Sequence, residues 1–80
     1  MQTLRRRVRK NDGWVQIADA TAVTTIQVLT GACYLVVTSG IPDIDTENYH
    51  ALDRWTTLSE DVVAYIRAGT EETVIVVSTI

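Results

Sequence analysis

The sequence predicts a small all-β domain, an antiparallel β-sandwich or jelly-roll-like barrel of six to seven short strands with a basic N-terminal arm. Three observations point there. Apolar and polar residues alternate with period two in short runs. Breakers and turn residues separate those runs at intervals of about ten positions. No stretch carries a convincing helical spacing of apolar residues, which leaves a sandwich or small barrel as the architecture.

Residues 1–13 contain the block Arg5, Arg6, Arg7, Arg9 and Lys10 and end on Asn11-Asp12-Gly13, three residues that tolerate positive φ and so mark a turn. Leu4 and Val8 are the only large aliphatic residues after Met1, so this segment can add an edge strand but cannot build a core. The expected division is therefore a basic arm, 1–13, and a sandwich, 14–80. From Trp14 a short strand alternates, with Val15 and Ile17 as its expected inner positions, and Asp19-Ala20 forms a turn. Thr21 to Leu29 is the next strand, with Ile26 and Val28 inward because Gln27 is costly to bury without a partner. After Thr30-Gly31, the run Ala32 to Thr38 is apolar almost throughout and reads as a central strand. Ser39 to Asp43 clusters breakers around Pro42, and the loosely alternating acids from Ile41 to Glu47 suit an exposed loop. Asn48 to Arg54 fits a helical turn or a short strand, and Trp55 to Leu58 alternates again.

The last third, Asp61 to Ile80, holds two apolar runs around a polar break at Gly69. It reads as a closing β-hairpin. Val74 to Val77 is four consecutive β-branched residues, so both faces of that final strand are expected to be covered by other parts of the chain.

Eighty residues make one domain, and a domain this small buries only roughly 60–65% of the surface its unfolded chain exposes. Disulfides, metals or oligomerisation are the usual supports. Cys33 is the only cysteine and His50 the only histidine, so neither an intrachain disulfide nor a zinc-type cluster can form. A partner surface or a homo-oligomer is the expected support. No apolar stretch approaches the ~18 residues of a membrane span and no signal-peptide pattern opens the chain, so synthesis in the cytoplasm is expected.

The formal charge of −3 hides an asymmetry. Five of seven basic residues lie in residues 1–10, while residues 11–80 hold all ten acids against Arg54 and Arg67, a net of −8. A positive block on a terminal segment points to an acidic surface or to nucleic acid. The acidic body repels a polyanion, which favours protein docking, with bidentate guanidinium groups on a neighbour's carboxylates or on another copy. Arg5, Arg6, Arg7, Arg9 and Lys10 are thus candidate partner-binding residues. Trp14 and Trp55 join them, since an exposed Trp marks an interface, although core or edge packing is the simpler reading for both and for Tyr34.

Signals for chemistry are weak. A set of Cys33, His50 and Asp53 is conceivable as nucleophile, base and orienting group, but Cys33 lies inside an apolar run and suits a small core side chain. Asp43, Asp45 and Glu47 alternate like the ligands of a calcium loop without its glycine or closing glutamate. The adjacent acids Glu60-Asp61 and Glu71-Glu72 suit solvated strand ends. No phosphate loop, nucleophile elbow or metal-binding helix is present. The expectation is a non-enzymatic protein with no catalytic residue, cofactor or metal.

Several motifs follow one another from Trp14 onward: Trp14-Val15-Gln16-Ile17, Thr24-Thr25-Ile26, Gly31-Ala32-Cys33-Tyr34-Leu35, Ile41-Pro42, His50-Ala51-Leu52, Ala64-Tyr65-Ile66-Arg67-Ala68-Gly69 and Val74-Ile75-Val76-Val77. Their order resembles a group of short virion proteins of tailed bacteriophages. The resemblance implies a small β-sandwich that decorates or cements the capsid by binding the major capsid protein or another virion protein, with the virion as its location. A fibre, spike-base or tail-adaptor subunit is the alternative of the same class. A small nucleic-acid-binding β-domain using the basic arm is the alternative of another class. The basic block lies outside the resemblance, and no catalytic or ligand residue follows from it.

Overall fold

Short runs that are apolar on one side can only be stable as two layers with those sides facing each other. A computed structural model describes residues 2–38, 40, 42, 43 and 46–79 and shows two such layers, each a four-stranded antiparallel sheet. In chain order the strands are β1 (Gln2–Arg9), β2 (Val15–Asp19), β3 (Thr24–Thr30), β4 (Cys33–Val37), β5 (His50–Ala51), β6 (Trp55–Leu58), β7 (Val63–Ala68) and β8 (Glu72–Thr79). Sheet I runs β1-β8-β3-β6 and sheet II runs β2-β7-β4-β5. Among the described residues the one helical element is a 3-10 turn at Lys10–Asp12.

The pairing follows a single plan. β1 pairs with β8, β2 with β7, β3 with β6 and β4 with β5, so the chain doubles back as one long ribbon whose tip is the β4–β5 connection. Rolling that ribbon sets β8 beside β3 and β7 beside β4. This is the jelly-roll arrangement of a sandwich.

The closing hairpin expected from residues 61–80 does not form. β7 lies in sheet II and β8 in sheet I, joined by an arch through Gly69. The reason is that Ala64, Ile66 and Ala68 on β7, and Thr73, Ile75 and Val77 on β8, are all buried. Opposed across the two layers, both sets share one core. Val74 and Val76 project from the outer face of sheet I, where strand neighbours leave them half-buried, so among the described residues no second layer covers the final strand as expected.

Other expectations hold in place. Ile26 and Val28 are buried, β4 lies between β7 and β5, and Gly13 takes a positive φ of 69° at the end of the first turn. β2 carries a register break between Gln16 and Ala18. That bulge puts Ala18 in the core opposite Ala64, while Val15 and Ile17 pack against it only partly buried. The basic segment is β1 itself, paired with β8 over its whole length, and its Val8 is 1% exposed. The turn at 10–13 therefore joins two strands of the sandwich.

The two sheets are stitched at one end. The Ala32 carbonyl, in the β3–β4 arch, accepts from the Gly69 amide at 2.8 Å and from the buried Thr73 hydroxyl at 2.6 Å, both in or beside the β7–β8 arch. Thr70 Oγ1 donates to the Glu72 carbonyl at 3.0 Å alongside. A fully buried Thr73 is tolerated because its hydroxyl is paired in this way.

Candidate interaction surface

Residues directly opposite in an antiparallel ladder share a face, so the register of sheet I can be read outward from β1. One row across the sheet is Arg5, Val76, Gln27 and Trp55. The next is Thr3, Ser78, Thr25 and Thr57, whose hydroxyls pair at 3.0 Å (Thr3 with Ser78) and 3.2 Å (Thr25 with Thr57). Arg7 stands opposite Val74 and Arg9 opposite Glu72. The outer face of sheet I thus has arginines along one edge, a hydroxyl row and two valines across its middle, and Trp55, 64% exposed, at the other edge.

Of the predicted partner-binding residues, Arg5, Arg7, Arg9 and Trp55 come together on this one face. Arg6 does not: it stands opposite the core residue Ile75, on the inward side of β1, yet is exposed because β1 is an edge strand. Lys10 lies in the 3-10 turn, its amide donating to the Glu71 carbonyl at 3.0 Å. Trp14 lies outside any strand, just ahead of β2 of the other sheet. It is half-buried, its Nε1 donates to the Asp43 carbonyl at 3.2 Å, its ring lies 6.0 Å from Tyr49, and the Arg67 guanidinium sits 6.0 Å above it. Tyr49 in turn stacks at 4.5 Å on Tyr34, the outward partner of Arg67 on β4. Trp14 therefore acts as an internal brace for the β4–β5 connection, whereas Trp55 is offered to solvent.

Arg7 Nε reaches Glu72 Oε1 at 2.6 Å, with both side chains about half exposed or more. Such a surface pair contributes at most about 1 kcal/mol. Among the described residues, Arg5, Arg6, Arg9 and Lys10 make no ion pair.

The groups considered for chemistry are separated by burial. Cys33 is 2% exposed, its thiol donates to the Tyr34 carbonyl at 3.8 Å, and burial pushes its pKa up to about 11 against smaller lowering contributions from backbone hydrogen bonds at Arg67 and Tyr34. A thiol held protonated at neutral pH is a poor nucleophile. His50, on β5, and Asp53 are exposed, and no hydrogen bond joins Cys33, His50 and Asp53 among the described residues. Asp45 of the acidic loop lies outside the described residues; among those described, no three His, Cys, Asp or Glu side chains group to hold a metal. A concavity of about 320 Å³, lined by residues such as Gln16, Asp19, Thr21 and Thr24, is open to solvent. There Thr21 hydrogen-bonds the Asp19 carboxylate, which holds that carboxyl below its usual range. No helix among the described residues is long and apolar enough to cross a membrane.

The hydroxyl row and the valines escaped the sequence reading because it treats one strand at a time. Trp55, already among the candidates, faces outward because Leu58 faces inward, and three positions away along a strand is the opposite face. Comparisons with protein-family models, curated proteins and solved structures returned no match.

Proposed function

We propose that this chain is a non-enzymatic virion building block, a decoration or cement protein of a tailed-phage particle that lies with sheet I against the lattice of the major capsid protein. The observation that carries the docking part is the outer face of sheet I, where Arg5, Arg7 and Arg9 line one edge and the 64% exposed Trp55 the other. A face with a large aromatic anchor and a charged rim has the composition of a protein interface. The resemblance to short virion proteins supplies the setting. Repetition over a shell fits an 80-residue domain, since many copies, each of modest affinity, gain by multivalency.

The test is binding of purified protein to shells stripped of it. Trp55→Ala is expected to weaken binding about 30-fold, the effect of losing an interface anchor worth about 2 kcal/mol. Arg5→Gln combined with Arg9→Gln is expected to flatten the salt dependence. Shells that bind the Trp55→Ala protein as well as the parent would rule out sheet I as the docking face.

A further inference from the structure

Edge strands carry unpaired N–H and C=O groups that will accept any strand that fits, and proteins blunt them by shortness, bulges or charge. Among the described residues the four edges here are blunted differently. β5 has two residues, β6 has four, and β2 is interrupted at Gln16/Ala18. β1 has none of these defences. It is eight residues long and pairs with β8 without a register shift, an edge of about 27 Å at roughly 3.4 Å per residue, with the Arg9 amide at its end already taken by the Asp12 carboxylate at 2.9 Å.

Charge alone protects it. Arg5, Arg7 and Arg9 project on the outer side and Arg6 on the inward side, all exposed. If two copies joined antiparallel through the middle of β1, arginines would face arginines, a repulsive cross-strand arrangement. That defence is selective, because it repels a copy of itself and attracts a strand of opposite charge. Leu4 adds a foothold, 53% exposed beside the core residue Val77.

We propose that the outer edge of β1 is a strand-addition site for an extended acidic segment of a partner protein, with carboxylates at alternate positions to meet Arg5, Arg7 and Arg9. Main-chain hydrogen bonds to the edge would supply affinity, and the alternating acids would set register. The exposed Arg7–Glu72 pair is cheap to exchange for a new carboxylate. A second copy is a poorer occupant. Its alternating acids lie at residues 43–47, where the Asp43 carbonyl already accepts from Trp14 and from the Thr46 amide. The proposal rests on the reading of the protein as a docking module and names the chemistry of what docks.

The experiment is a titration of the isotope-labelled full chain with a nine-residue peptide alternating Asp with Thr and Val, followed by amide shifts and hydrogen exchange. The expected result is slowing of exchange by at least about tenfold at alternate amides of β1. Affinity should fall at least about tenfold when a proline replaces the central residue of the peptide, since proline cannot continue a ladder, and should be lost in Arg5→Glu/Arg7→Glu. Equal binding of the proline peptide, protection appearing at another edge, or no binding at low salt would overturn the proposal. So would sedimentation showing the chain pairing with itself through β1. Because the peptide assay leaves Trp55 uninvolved, strand addition can fail while shell docking holds, and the reverse.

Discussion

Gly31→Ala is expected to lower stability by about 3 kcal/mol, combining the cost of a non-glycine residue at positive φ with overpacking. Gly31 has φ 82°, and a Cβ there would stand 2.7 Å from the Glu72 carbonyl oxygen, 2.7 Å from Thr70 Oγ1 and 2.9 Å from Thr73 Oγ1. The hydroxyls cannot simply turn away, because both are engaged in the stitch between the two arches. The backbone oxygen cannot move without shifting the start of β8. For a domain whose total stability is on the order of 4–12 kcal/mol, that is a large fraction, and thermal unfolding should shift down by about 15 °C. Gly40→Ala is the control: nothing lies within 4 Å of the added carbon, and the change should stay within about 0.5 kcal/mol. Equal melting of the two variants would remove the stitch from the account.

Removal of residues 2–9 is expected to abolish cooperative unfolding at 25 °C. It strips a strand from β8, takes the buried Val8 out of the core, and exposes the flank of Ile75 and Thr73, both 0% exposed. Burial of one Val contributes about 1.5–3 kcal/mol, and each ladder hydrogen bond about 0.5–1.5 kcal/mol, so the loss reaches the whole stability of a small domain. A dispensable arm would instead leave the melting temperature unchanged. Arg5→Gln with Arg9→Gln, which keeps the strand, should cost under about 1 kcal/mol. The charges can therefore be tested for docking only by substitution, since deletion would unfold the protein that is meant to dock.

β1 shows why part of the fold was illegible in the sequence. Its only buried residue is Val8, and Leu4, which should have completed the alternation, is exposed at the edge. A strand with one inward apolar contact and four arginines has the composition of a solvated tail. Strands with several inward residues were plainer: Ile26 and Val28 on β3 declared themselves by alternation, and the apolar runs that became β4 and β7 read as strands, with Cys33, Leu35, Ala64, Ile66 and Ala68 as their buried residues. Their partners were not plain. Alternation fixes which face is buried but not which strand lies alongside, and in this topology every connection but β4–β5 joins strands that do not pair. The interaction surface was legible in the same partial way. Arg5, Arg7, Arg9 and Trp55 stood out as residue types, but only the register of β1, β8, β3 and β6 puts them on one face, away from Arg6 on the inward side and from Trp14 just ahead of β2.

A cryo-EM map of shells carrying the protein is the measurement that bears most directly on the docking face. The expected map shows hundreds of copies per particle, as shell symmetry implies for a decoration protein and in contrast to about six or twelve for a tail piece. Each copy has Trp55 buried against the capsid subunit and β1 beside an acidic extended segment. A map in which the face carrying Arg5, Val76, Gln27 and Trp55 points to solvent would contradict the account.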